Sequence, residues 1–165
     1  MNASVDIDTA AALREVLAAS VPDLHRYCRD PWTLIGSGAA WLIGAKVTVA
    51  DLDVLSSARD AETLIDHWRE RLETTMASAG AKRFRSRFAR FVFPGLAVEI
   101  MGGLEVSGDA GWEPVRVGEI IAVDVAGLRV PIPAVEEQIR LLERFGRPKD
   151  SQRAALLKSL REERA

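Results

Sequence analysis

Apolar residues recur along this chain in two rhythms, and the switches between them mark out the elements. Leu13, Val16 and Leu17 fall at helical spacing behind Asp8 or Thr9, either of which can cap, and predict a helix over about residues 9 to 19. Val21-Pro22-Asp23 breaks that pattern, because proline lacks the N–H that a helix interior needs. A second segment then runs from Leu24 to Asp30, before Pro31. Trp32 to Ile35 reads as a short strand, Ala39 to Ile43 as a short packed helix, and Val47 to Leu55 as another strand. From Asp60 to Ala79 the stripe Leu64, Ile65, Trp68, Leu72 and Met76 predicts an amphipathic helix, stopped by Gly80.

Lys82 to Phe91 changes rhythm, alternating five cations with aromatic residues. That suits a strand with one packed face and one face turned to solvent, or to phosphates. Pro94-Gly95 turns the chain into Leu96 to Met101 as a hairpin, and Gly102-Gly103 and Ser107 to Gly111 read as loops. Val115 to Val117, Ile120 to Val125 and Leu128 to Ile132 alternate as strands, with Ala126-Gly127 a tight turn. Pro133-Ala134 opens a helix that Gly146 stops after Phe145, and Asp150 or Ser151 caps a last helix reaching about Glu162. Mixed elements joined by short loops predict one α+β domain over residues 1–165. Its N-terminal helices occupy residues 1–31, its sheet core 32–132 and its C-terminal helices 133–165.

Composition narrows the function classes. Lysine and arginine total 22 against 24 acidic residues, so no bulk positive charge advertises nucleic-acid binding. The single cysteine, Cys28, has no partner for an internal disulfide, which favours a reducing compartment. It reads as a small packed hydrophobe, because no histidine pairing is evident to activate it. His25 and His67 stand too far apart for a local metal motif. Residues 1–10 carry Asp6 and Asp8 with no basic start, so no signal peptide is expected. The apolar run Leu34 to Ala45 is too short to cross a bilayer. A cytoplasmic location with no membrane contact is the expectation.

Chemistry concentrates between residues 34 and 55. Asp51 and Asp53 are spaced i, i+2, so on a strand both carboxylates emerge on one side while Leu52 and Val54 point into a core. Adjacent carboxylates repel unless a cation lies between them or one keeps a proton, and Mg²⁺ with its oxygen preference resolves the conflict. Ahead of them Gly36 and Ser37 form a turn feeding a helix, offering backbone N–H groups and a hydroxyl to phosphate oxygens. A phosphate cradle one helix away from a magnesium site points to phosphoryl or nucleotidyl transfer.

Ile35-Gly36-Ser37 followed by Asp51-Leu52-Asp53-Val54 resembles the signature of the nucleotidyltransferase superfamily, in its small bacterial versions with the DNA polymerase beta-like fold. Leu96-Ala97-Val98-Glu99-Ile100-Met101 supplies Glu99 as the family's third acidic residue, with Glu105 a rival. Arg147-Pro148-Lys149-Asp150 is similar to the turn before the last helix of small members, and the likeness covers about residues 32 to 160. Two details depart from the family pattern: Lys46-Val47-Thr48-Val49-Ala50-Asp51 is one residue longer than its Arg-x-Thr-x-Asp, and the third acid is Glu rather than Asp. The resemblance implies a mixed sheet in which the Gly-Ser turn and its helix precede the Asp-x-Asp strand, with helices packed on the sheet and at the C-terminus.

It also implies roles. Asp51, Asp53 and Glu99 would be catalytic and hold Mg²⁺, with two ions possible, while Gly36, Ser37, Lys46 and Lys149 would bind the nucleotide. The reaction implied moves an NMP from an NTP, ATP among them, to a hydroxyl acceptor and releases pyrophosphate. Small relatives modify antibiotics such as aminoglycosides and lincosamides, RNA 3′ ends, or protein side chains in toxin–antitoxin pairs. A partner protein of such a pair is therefore one expectation. The alternatives are a catalytically degenerate module that binds nucleotide or a protein partner, and a structural domain with a chance Asp-x-Asp.

Overall fold

A computed structural model describes residues 3–76 and 83–165. The chain runs through α1 (Ala3–Tyr27), β1 (Thr33–Ile35), α2 (Gly36–Leu42), β2 (Asp51–Ser56) and α3 (Ala58–His67). After a 3₁₀ turn at Arg69–Arg71 follow β3 (Leu72–Met76), β4 (Phe84–Phe91), β5 (Ala97–Gly108) and β6 (Gly111–Pro114). The hairpin β7 (Ile120–Val125) and β8 (Leu128–Pro133) leads to α4 (Val135–Phe145) and α5 (Pro148–Arg164). The main sheet has the order β1-β2-β5-β4-β3, with β6 added beside β5, and β2 against β5 is its parallel pair. This α+β mixed sheet with helices on it is the architecture the sequence implied.

One face of the sheet carries the main core. Leu52 and Val54 of β2, Ala89 and Phe91 of β4, and Val98 and Ile100 of β5 pack there against α1 and α3. Gly102 serves the same face, since a Cβ on it would meet the Cβ of Ala61 at 2.5 Å. The opposite face holds Ile35, Leu55 and Leu104 beneath Leu141 and Phe145 of α4. The strand alternation thus turns Asp51, Asp53 and Glu99 toward the side that α4 and α5 only partly cover.

Several local expectations are corrected. Proline does not break the first helix: α1 continues through Pro22, whose ring lies exposed. Leu13, Val16, Leu17, Val21 and Leu24 remain buried along the inner face, and their packing offsets the lost hydrogen bond. The helix expected over Asp60 to Ala79 ends at His67. Trp68 caps it and anchors the turn, donating from Nε1 to Asp23 at 2.8 Å and meeting Phe91 and Phe93 edge-on. Leu72 to Met76 instead pairs antiparallel with β4, a partner that periodicity within the segment cannot reveal. The expected Gly80 stop and residues 77–79 of that helix lie outside the described residues, as does Lys82.

The third correction concerns Gly102-Gly103, Ser107 and Gly108, which belong to the long strand β5 rather than to loops, while Val115–Val117 forms no strand. The fourth concerns α5, whose N-cap is Arg147. Asp150 sits three residues inside and accepts the Arg147 backbone N–H at 3.2 Å. The strand expected from Val47 starts only at Asp51. The Ala126-Gly127 turn and the Gly146 stop stand as expected, the latter with φ +68°.

Candidate active site

Sheet register assembles the acidic residues. Asp53 on β2 pairs with Ile35 of β1 on one side and Glu99 of β5 on the other, and Glu99 pairs in turn with Arg90 of β4. Ile35, Asp53, Glu99 and Arg90 therefore form one row across four strands. Asp51 lies one pleat away on the same face of β2.

Gly36 opens α2 with φ +68° and lies against Asp53: a Cβ there would stand 2.7 Å from Oδ2. Only glycine both adopts that backbone and leaves the carboxylate its space. Ser37, Gly38, Ala39 and Ala40 are buried, which lets α2 lie close on β2. No side chain caps the N-terminus of α2.

These residues share a cavity of about 330 Å³. Gly36, Ser37, Asp51, Asp53, Glu99 and Lys149 all line it, joined by Arg147, Asp150 and Arg153 from α5 and its cap. Lys46 is not among them; it is exposed on the segment between α2 and β2. Glu105 is also elsewhere, held by Arg85 at 2.8 Å. Asp150 is fully buried and accepts Arg147 Nε at 2.6 Å and Nη2 at 3.1 Å, which fixes the first turn of α5 beside the cavity.

The carboxylates are electrostatically crowded. Burial, then Glu99 and Asp51, push the Asp53 carboxyl from 3.8 up to about 7, while Lys149 and Arg153 pull the other way. Burial and Asp51 also raise Glu99, with Arg90 opposing. Arg90 is the cation nearest the acids: Nη1 donates to Asp51 Oδ1 at 2.8 Å and stands 3.4 Å from Glu99, and Nε donates to Glu73 at 2.7 Å. Sequence reasoning placed Arg90 only on a basic strand face; its position in the acid row depends on the β4–β5 register.

An all-oxygen donor set with excess negative charge fits a hard divalent cation. Among the described residues no three carboxylate, histidine or cysteine side chains are already gathered into a metal cage. Holding an ion at Asp51, Asp53 and Glu99 thus means displacing Arg90 and closing the carboxylates together. The other β4 cations are also neutralised, Arg85 by Glu105 and Arg87 by Glu62, so this strand offers no open phosphate track. Cys28 is inert: burial, with Asp60 and Asp30, pushes its thiol up to about 12.

This arrangement, a glycine-opened helix against an Asp-x-Asp strand with a third acid on the adjacent parallel strand, is that of a nucleotidyltransferase-fold protein. The fold is shared with solved structures. The inferred nucleotidyltransferase TM1012 of Thermotoga maritima superposes with a TM-score of 0.71 at 23% identity, over 89% of this chain and 92% of that one. The lincosamide antibiotic adenylyltransferase LnuA, solved with lincomycin bound, gives 0.55 at 13% identity, covering 88% and 96%. An antigenic nucleotidyltransferase-like protein from Paracoccidioides brasiliensis gives 0.57 at 14%, covering 92% and 78%. No family model and no curated protein matches this sequence. Among the described residues, no helix is long and apolar enough to cross a membrane.

Proposed function

We propose that the protein is a Mg²⁺-dependent nucleotidyltransferase that moves a nucleoside monophosphate from an NTP to a hydroxyl acceptor. The observation that carries this reading is the register pairing of Asp53 with Glu99, with Gly36 packed on Asp53 in the same cavity. Asp51, Asp53 and Glu99 would hold magnesium, one ion or two, which when bound neutralises charge on the triphosphate and the departing pyrophosphate.

The chain's own groups do the rest. The backbone N–H groups and hydroxyl at Gly36-Ser37 hold phosphate oxygens, and Lys149 and Arg153 add positive charge from α5. Glu99 takes the proton of the acceptor hydroxyl. The acceptor oxygen bonds to the α-phosphorus as the bond to pyrophosphate breaks, and pyrophosphate leaves with the electron pair. Positioning and electrostatics carry such a reaction, with no covalent enzyme intermediate. The fold shared with LnuA, a lincosamide antibiotic adenylyltransferase, supports transfer to a small molecule.

A second reading, nucleotide binding without transfer, draws on Arg90, whose pairing with Asp51 and Glu99 already supplies a cation to the acids. Calorimetric titration with each NTP and Mg²⁺, followed by pyrophosphate release across an acceptor panel, separates the two. Magnesium-dependent binding that Asp51→Ala/Asp53→Ala abolishes, together with pyrophosphate release, is the expected result. Binding without release to any acceptor would favour the second reading, and no binding at all would defeat both.

A further inference from the structure

The far end of the cavity is built unlike its acidic floor. Phe84, Ser86 and Phe88 of β4 line it with Met101 and Leu104 of β5, and Phe145 closes it from α4. Phe84 and Phe145 meet edge-on with ring centroids 5.5 Å apart. Within this apolar wall Ser86 is 5% exposed, and its Oγ has no hydrogen-bond partner among the described residues. A buried hydroxyl without a protein partner is destabilising, and one in a cavity wall is open to a water or a ligand that enters the cavity. Ser86 also sits where the β4–β5 register shifts, between Arg85 opposite Glu105 and Arg87 opposite Gly102. Such irregularities re-aim side chains beside sites.

Sheet order gives the wall a side. Gly36 and Ser37 adjoin Asp53 at the β1–β2 edge, whereas Ser86 and Phe88 lie on β4, beyond Glu99. Displacement at phosphorus keeps attacking and leaving oxygens roughly in line. With the triphosphate on the Gly36-Ser37 side, the attacking hydroxyl arrives from the side of Glu99 and this wall. At its outer edge the guanidinium of Arg147, paired with the buried Asp150, stands 5.2 Å from the Phe84 ring centroid, and that of Arg83 stands 5.8 Å from it.

Resting on the transfer reading above, we propose that this wall is the acceptor subsite. Its ligand is a small, ring-bearing molecule that bonds Ser86 Oγ through one polar group while presenting its hydroxyl toward Glu99. The test uses indole and indene, two flat rings of one shape, only the first carrying an N–H. They are titrated calorimetrically into wild type, Ser86→Ala and Asp51→Ala/Asp53→Ala, with and without Mg²⁺–ATP.

Wild type should bind indole at least fivefold more tightly than indene. Ser86→Ala should bind both alike and melt no lower than wild type, since it removes an unpaired polar atom. The double carboxylate variant should keep its indole binding, and saturating Mg²⁺–ATP should leave indole affinity within twofold. Failure of wild type to bind indole while Mg²⁺–NTP binding persists overturns the subsite and spares the transfer reading. An unchanged indole preference or a lower melting temperature in Ser86→Ala also overturns it. Displacement of indole by Mg²⁺–ATP would reassign the wall to the donor's base. Indole binding without any NTP binding would defeat the transfer reading and, with it, the acceptor assignment.

Discussion

A single methyl group at Gly36 probes the centre of the site. Alanine there must keep φ +68°, and its Cβ would lie 2.7 Å from Oδ2 of Asp53, against 3.4 Å for ordinary contact. The Asp53 carboxylate therefore retreats by about 0.7 Å, or the first turn of α2 shifts by as much. A left-handed backbone costs a non-glycine residue about 1–2 kcal/mol. In a domain of this size that lowers the melting temperature by roughly 2–8 °C. Misplacing a positioned group by about 1 Å costs on the order of a hundredfold in rate.

Gly36→Ala should thus melt a few degrees lower and weaken Mg²⁺–NTP binding at least tenfold, by roughly 1.4 kcal/mol or more. Gly127→Ala is the control. Gly127 has φ +83° at the β7–β8 turn, and a Cβ there meets nothing within 4 Å. It should lose comparable stability and no nucleotide affinity, as read by thermal melts and calorimetry. Wild-type nucleotide affinity in Gly36→Ala, or an equal loss in Gly127→Ala, would refute the argument that Gly36 makes room for the Asp53 carboxylate.

The raised Asp53 carboxyl, about 7 in the fold against 3.8 ordinarily, means the folded state keeps a proton that the unfolded chain releases. Ligand-free stability should therefore fall as pH rises from about 4 to 7, and Asp53→Asn should flatten that fall in melts taken across the range. Arg90→Gln removes the cation shared by Asp51 and Glu99. It should tighten Mg²⁺ binding severalfold by calorimetry, with unchanged or weaker binding counting against displacement of Arg90. Asp150→Ala leaves Arg147 unpaired beside the cavity and should cost about 1–3 kcal/mol, seen as a lower melting temperature. Lys149→Ala should melt like wild type, since Lys149 is exposed, yet weaken NTP binding and flatten its salt dependence.

The placement of the acids was legible because strand alternation is local: Asp51-Leu52-Asp53-Val54 states in four residues which side chains face the cavity. Glu99 was legible for the same reason, in an apolar-acid-apolar stretch. What depends on a distant partner was not. Leu72 to Met76 carries helix-compatible spacing but finds its hydrogen bonds on β4. Arg90 enters the acid row only through the β4–β5 register, and Ser86 and Arg153 reach the cavity through the shifted pairing and the seating of α5. Pro22 misled in the other direction, since a buried stripe on one face of α1 outweighs one missing N–H on the other.

The parallel pairing of β2 with β5 also sets when the site comes into being. A parallel pair needs a crossover, here α3, β3 and β4, so its two strands close a long loop before any contact forms. Asp51 and Arg90, now 2.8 Å apart, stand 39 residues apart along the chain. The β4–β5 hairpin can zip locally, whereas β2 must dock onto it afterwards. Under the proposed function, nucleotide capture then signals completed folding: during refolding it should appear with the last kinetic phase, after the burst of local strand and helix signal.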